Sequence, residues 1–176
     1  MIKLSVCLLT CNSSRLLREV LPPLLKVADE FIVIDSGSTD ATLQICQQFG
    51  LTVHYHAYTT HGTQMNYATS LASHDWVLCM DSDEILDDEV AAAILALKAG
   101  DEPDPTCAWR LPRYWFVLGE EVRTIYPVSS PDFPVRLYKP FCRPVQRASG
   151  RRSGCRFYAL GQATGIRAPR HLLLPA

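Results

Sequence analysis

No apolar run in the 176 residues approaches the roughly 18 that a bilayer-spanning helix requires, so no membrane span is expected. There is no G-x-G-x-x-G, and the common dinucleotide fingerprint is therefore absent. The seven cysteines are odd in number and scattered, and no pair has zinc-knuckle spacing. A disulfide framework and a structural zinc site are both disfavoured, and a reduced cytoplasmic protein is the simplest expectation. Met1 to Thr10 carries one lysine and a short apolar run, without the build or the cleavage site of a signal peptide. Acid is missing from residues 141–176, which hold seven arginines. The other ten basic residues lie before that point with all eighteen acids, so the net charge of −1 conceals two segments of opposite sign.

What is present fits one domain with a proper core: 48% hydrophobic and 20% charged residues. The most informative stretch is Trp76-Val77-Leu78-Cys79-Met80-Asp81-Ser82-Asp83-Glu84. An uninterrupted apolar run reads as a strand buried on both faces, as in a parallel sheet covered by helices. Its acids then fall where the strand leaves the sheet, the edge at which open α/β folds bind ligands. In a continuing strand Asp81 and Asp83 would share one face. Two converging carboxylates beside an apolar wall require a compensating cation or strong donors. A hard divalent cation carrying a phosphate-bearing ligand supplies that compensation. The competing reading is a solvated acidic loop that caps the next helix.

The same logic runs along the chain. Ile2–Leu9 reads as a first strand, followed by a turn at Thr10-Cys11-Asn12-Ser13-Ser14. Ser13 or Ser14 is expected to cap a helix through Arg15–Val20. Pro22 and Pro23 predict a break at Leu21 and a short second helix to about Val27. Glu30–Asp35 is a second buried strand that also delivers a carboxylate to its end. Ser36-Gly37-Ser38 allows a sharp turn, Ser38 or Thr39 can cap a helix over Asp40–Phe49, and Gly50 closes it. Leu51–His56 is a third strand. This β-α-β-α-β rhythm predicts parallel strands with right-handed crossovers, a Rossmann-like nucleotide-binding arrangement. In such folds an acid at the end of the second strand grips ribose hydroxyls; the competing role for Asp35 is helix capping.

Gln64–Ala72 reads as an amphipathic helix with Met65, Ala68 and Leu71 or Ala72 inward. Gln64 and Asn66 can reach a ligand from its N-terminal end, or can simply be solvated. His54, His56, His61 and His74 lack ligand spacing within one element and are read as non-metal. A helix is expected from Asp87 to about Lys98, with acids in its first turn as the macrodipole favours. Strands are expected within 108–119, at 122–126 and over Phe133–Tyr138. Arg110, Arg113, Arg123 and Arg136 are either a seat for an anionic acceptor or ordinary surface arginines.

In this order and spacing the motifs resemble a family 2 glycosyltransferase with the GT-A fold. The residues that carry the resemblance are Thr10-Cys11-Asn12, then Ala28-Asp29-Glu30 leading into VIDSGSTD, Gln64-Met-Asn-Tyr-Ala, DWVLCMDSDE and FPVRLYK. The middle and later segments are most similar to bacterial lipopolysaccharide core β-1,4-glucosyltransferases. The resemblance implies a nucleotide-sugar donor, UDP-linked by likeness, and a saccharide or lipid-linked saccharide acceptor such as lipopolysaccharide core. It also implies Mg²⁺ or Mn²⁺, peripheral contact with the cytoplasmic face of the inner membrane, and no nucleic-acid partner. By position, Thr10, Asn12, Asp35, Ser36, Gln64 and Asn66 would serve the nucleotide. Asp83 would bind the metal, and Asp81 the ribose or the same metal. A general base, in the family a carboxylate downstream of D-x-D, is not assignable here.

The likeness covers residues 1–140, read as an incomplete GT-A domain with a truncated or altered C-terminus. Where the family continues with a histidine-glutamate segment and acceptor-binding residues, residues 141–176 form a basic stretch without clean periodicity. The expectation is a poorly ordered tail from a shifted reading frame or a recombined end. The alternative is a genuine basic tail that docks by charge to anionic lipid or nucleic acid. Nucleotide binding with weak or absent transfer is then expected. Two rival functions remain at this point. A haloacid-dehalogenase-like phosphatase also places D-x-D after a buried strand, although only Lys98 and Lys139 follow it here. A catalytically inert nucleotide-binding fragment would share the same fold.

Overall fold

The computed structural model describes residues 1–140 except 106, 118–119 and 126–127, together with the segments 156–159 and 166–169. The remainder of the arginine-rich stretch, and with it the expectation of a poorly ordered or frame-changed tail, lies outside the described residues.

The chain opens with β1 (Leu4–Thr10), α1 (Leu17–Val27), β2 (Glu30–Asp35), α2 (Thr42–Gln48), β3 (Val53–Tyr55), α3 (His61–Ser70) and β4 (Trp76–Asp81). It continues with β5 (Ile85–Leu86), α4 (Asp88–Ala99), β6 (Cys107–Arg110), β7 (Arg113–Val117) and β8 (Glu120–Val122). Then follow β9 (Thr124–Ile125), β10 (Val128–Ser129), β11 (Val135–Tyr138), β12 (Arg156–Ala159) and β13 (Ile166–Pro169). The main sheet has the order β12-β6-β11-β4-β1-β2-β3. Strands β1 to β4 are parallel, as expected from the crossover rhythm, while β11 enters antiparallel between β4 and β6. A second sheet has the order β5-β13-β7-β8. The two described segments of the arginine-rich stretch extend these sheets: β12 beside β6, and β13 between β5 and β7.

Apolar side chains cover both faces of the central strands, which explains their unbroken hydrophobic runs. Leu4, Val6 and Leu8 of β1 pack with α1, Ile45 and Cys46 of α2, and α4. Cys7 points the other way, to Met65 and Ala68 of α3 and to Cys79 and Tyr138. Cys7, Cys46 and Cys79 thus act as small buried hydrophobes.

The expected break at Leu21 does not occur. One helix runs from Leu17 to Val27 with both prolines inside it. Its stripe Leu17, Val20, Leu21, Leu24 and Val27 is buried, whereas Pro22 is exposed and Pro23 half-buried. The bonds lost to the rings would have ended on the carbonyls of Arg18 and Glu19, on the side open to solvent. Burial of five apolar side chains outweighs that local cost. Leu24→Ala is expected to destabilise the protein by about 3 kcal/mol, measured by urea denaturation, because it opens a cavity at a fully buried site.

The expected caps also shifted. Leu16 occupies the N-cap of α1 without a side-chain bond, and the Ser13 hydroxyl bonds Ser82 at 2.6 Å instead. Before α2, Asp40 accepts from the Thr42 amide at 2.9 Å, a role expected of Ser38 or Thr39. Gly50 adopts φ +72°, as its closing position requires. Asp87 caps α4 by accepting from the Val90 amide at 2.9 Å.

Candidate active site

The parallel strands deliver Thr10, Asp35 and Asp81 to one edge. Thr10 lies opposite Asp35 in the β1–β2 register, and Leu9 lies opposite Asp81 in the β1–β4 register. Strand order reverses at β1, since the chain proceeds outward through β2 and β3 and then returns to β4 on the other side. Such a switch point opens a crevice at the carboxyl ends of the strands. The cleft there has a volume of about 540 Å³, the size of a cofactor or nucleotide site. Thr10, Asn12, Ser36, Gln64, Asp81 and Asp83 all line it.

Two of the expected ligand residues, Asp35 and Asn66, do not line the cleft. Asp35 is behind the wall and only 2% exposed. Its carboxylate accepts from the Thr10 hydroxyl at 2.9 Å, the Gly37 amide at 2.9 Å, and the amide and hydroxyl of Ser38 at 2.7 and 2.5 Å. Burial opposes its charge, but these donors together hold its carboxyl below the usual range. Gly37, at φ +107°, lets the turn fold back on this carboxylate. Asn66 is exposed and not among the cleft residues, because two steps along a helix carry it to the side opposite Gln64.

Asn12 and Gln64 bind neighbouring loops together. Asn12 adopts φ +49°, which asparagine tolerates, and its Oδ1 accepts from the Thr39 amide at 2.8 Å. Gln64 is 1% exposed. Its amide nitrogen donates to Ser36 Oγ at 2.7 Å and to the His56 carbonyl at 2.8 Å, and its oxygen meets His56 Nδ1.

The two acids of D-x-D do not share a strand face. β4 ends at Asp81, and a turn closed by the Glu84 amide on the Asp81 carbonyl, at 3.1 Å, re-aims Asp83. Their electrostatics differ accordingly. Asp81 accepts from His61 Nε2 at 2.9 Å and from Arg136 at 2.9 Å. Burial works against its ionisation, yet the His61 bond and the Arg136 charge hold its carboxyl well below the ordinary range. Asp83 has no ion pair among the described residues. Burial, reinforced by the charge of Asp81, pushes its carboxyl up.

Beneath them Glu84 is fully buried and meets both Arg136 and Arg113, the latter at 2.8 Å. Burial raises its pKa, with Arg136 pulling against that shift. Arg113 also forms two bonds to Asp132, at 2.9 and 2.5 Å. Four carboxylates thus face two guanidiniums, and with His61 neutral the cluster carries two surplus negative charges. Among the described residues no group of three or more histidine, cysteine or acidic side chains forms a ready metal cage. The donor set fits a hard divalent cation held by one or two carboxylates and completed by phosphate oxygens.

Sequence reasoning does not pair the members of this cluster with one another. His61, which has no ligand spacing within its own element, is a partner of Asp81 from 20 positions away. Glu84 was visible as the third acid of the run. Arg136 and Arg113 were considered as acceptor contacts; both turn inward to the acids. Arg110, by contrast, is exposed and donates to the Phe133 carbonyl.

The His61 bond has a pH signature. The bond to Asp81 raises the His61 pKa above its ordinary value of 6.5. Its stabilisation is complete below that value and disappears as pH rises through the higher folded value. In metal-free buffer, the urea-midpoint advantage of wild type over His61→Gln should therefore shrink as the pH rises above about 6.5. A constant advantage would count against the charged pair.

A mostly parallel sheet with an acid-lined cleft at its switch point defines an α/β protein with the GT-A type of fold. The family model for glycosyl transferase family 2 matches residues 5–162, and the chain belongs to that family. The match extends beyond residue 140, where the legible motifs end. Among curated relatives, an uncharacterized glycosyltransferase of Rickettsia felis is 32% identical over 109 residues, 62% of this chain and 38% of that protein. The lipopolysaccharide core biosynthesis glycosyltransferase LpsC of Rhizobium meliloti is 26% identical over 66% of this chain and 44% of its own length. The chain thus spans less than half the length of these relatives. Among solved structures, S. aureus TarS 1–349 superposes with a TM-score of 0.56 at 22% identity, over 96% of this chain and 60% of that one. The mannosyltransferase PcManGT of Pyrobaculum calidifontis, in complex with GDP-Man and Mn²⁺, gives 0.50 at 25% identity over 61% and 34%. Among the described residues no helix is long and apolar enough to cross a membrane.

Proposed function

We propose that the cleft binds the nucleoside diphosphate of a nucleotide-sugar, UDP-linked, together with Mg²⁺ or Mn²⁺, for transfer of the sugar to a saccharide acceptor. The observation that carries this reading is the asymmetry of the acids: Asp81 is already neutralised, and Asp83 faces the cleft without an ion pair among the described residues. Asp83 would hold the metal, and Asp81 the ribose or the same metal. When bound, the cation would offset the charge that develops on the diphosphate leaving group. Thr10, Asn12, Ser36 and Gln64 supply polar groups for the nucleoside, and Asp35 orients Thr10 and the Ser36–Ser38 turn.

Family membership displaces the phosphatase reading. The complexes of PcManGT with GDP-Man and Mn²⁺, and of TarS with UDP-GlcNAc, support a metal-assisted nucleotide-sugar donor. A lipopolysaccharide core acceptor is supported by the likeness to LpsC. A lipid-linked acceptor would bring the chain to the cytoplasmic face of the membrane, where the arginines of 141–176 suit anionic headgroups. The acid-free, arginine-rich composition of residues 141–176 is the observation that favours donor binding with weak transfer.

Calorimetric titration with UDP tests the reading. Binding that requires Mn²⁺ is expected. Absence of binding to a folded sample, with and without Mn²⁺, would overturn it.

A further inference from the structure

We propose that Glu84 and Arg136 are positioning residues of the donor site. Glu84 clamps Arg136 under Asp81, and Arg136 acts as a resident counter-cation that reserves Asp81 and leaves Asp83 open to the divalent ion. The inference rests on the donor-site reading above and assigns how the two carboxylates are made unequal.

The geometry is built in from three elements. Arg136 lies on β11, whose antiparallel register sets Leu137 against Leu78 of β4. The residue is 5% exposed, and its side chain runs beneath the end of β4 to Asp81 Oδ2, at 2.9 Å, and to Glu84. Glu84 shows no exposure and takes its second guanidinium from Arg113 of β7. Asp132 then fixes Arg113 from the far side with two bonds. An apolar pair of the same volume would serve stability as well as this buried ionic one. What the ionic pair adds is a fixed positive charge on one carboxylate of D-x-D and not on the other. It also joins the D-x-D turn to the second sheet, since Arg113 belongs to β7.

Opposite signs for two affinities follow. Removing the guanidinium makes the cluster more negative, so Mn²⁺ alone should bind more tightly. It also frees Asp81 to swing, so UDP should bind more weakly. A merely structural residue would weaken both. Arg136→Met, which approximates the buried stem, is compared with wild type by electron paramagnetic resonance of free Mn²⁺ and by UDP titration at saturating Mn²⁺. Mn²⁺ affinity is expected to rise at least about tenfold, the effect of removing one charge a few ångströms from a divalent ion even where water screens it fully. UDP affinity is expected to fall about tenfold, the scale seen when a group that orients a metal-site carboxylate is lost. Both affinities falling together, or neither changing, in a variant that keeps its circular dichroism and melting transition would overturn the proposal. Glu84→Gln covers the case in which Arg136→Met does not fold, because its amide oxygen still accepts from both arginines. It removes one negative charge, so Mn²⁺ should bind about tenfold more weakly; unchanged Mn²⁺ affinity would overturn the proposal. Wild-type protein that binds neither Mn²⁺ nor UDP would overturn the donor-site reading and this inference with it. Wild-type binding with unaltered variants would overturn the inference alone.

Discussion

Asp83→Ala is expected to abolish Mn²⁺-dependent UDP binding while leaving the protein at least as stable as wild type. The first half follows from the ligand count. A site that offers one or two carboxylates to a hard cation has no substitute when the unpaired one is lost. Changes in groups that merely support metal ligands cost about 10–100-fold, so loss of a ligand should cost at least about 100-fold in UDP affinity at fixed Mn²⁺. The second half follows from the local electrostatics. Burial and the Asp81 charge both disfavour ionised Asp83 in the absence of a cation. Removing the carboxyl relieves that repulsion, a cost that binding sites carry for function. Calorimetry and a metal-free thermal melt read the two halves separately. Retained Mn²⁺-dependent binding would remove Asp83 from the metal site, and a large drop in melting temperature would assign it a structural role instead.

Asp35→Ala should behave in the opposite way, with a loss of stability of about 3 kcal/mol or more. Its carboxylate serves the amides of Gly37 and Ser38 and the hydroxyls of Thr10 and Ser38. Alanine leaves these donors in a buried pocket without an acceptor, at roughly 1–3 kcal/mol for each group that water cannot reach. Because the folded carboxyl titrates below its ordinary 3.8, its contribution is complete above that value and is lost as pH falls through the lower folded value. The gap between wild type and Asp35→Ala in urea denaturation should therefore be widest near neutrality and narrow below about pH 4. UDP affinity should fall as well, since Thr10 and Ser36 border the cleft and are held by the same turn. A variant with wild-type stability and lost UDP binding would indicate direct contact between Asp35 and the nucleoside.

Much of this arrangement was legible before any coordinates. The apolar runs ending in Asp35 and Asp81 marked parallel strands, because only strands covered on both faces can be hydrophobic at every position. The acids after them marked the ligand edge, and the order of the motifs marked the family. Other features were not legible. The proline pair argued locally for a broken helix, and the buried stripe of α1 overrode it. Asp81 and Asp83 were expected on one strand face, but the strand stops at the first of them. Gln64 and Asn66 share the N-terminal half of one helix, but its turn carries them to different sides, and only Gln64 lines the cleft.

The sequence by itself determined the strand and helix order, the parallel core and the delivery of carboxylates to its edge. Each of these depends on periodicity or on neighbours a few residues apart. Only the tertiary structure decided the charge partners. His61 and Arg136 are separated from Asp81 by 20 and 55 positions. Their meeting depends on how α3 docks on β1 and on the antiparallel register of β11 beside β4. No local pattern distinguishes an arginine that will face solvent from one that will be buried under an aspartate. That choice is made by packing, and it separates two aspartates two residues apart into one that is neutralised and one that is open.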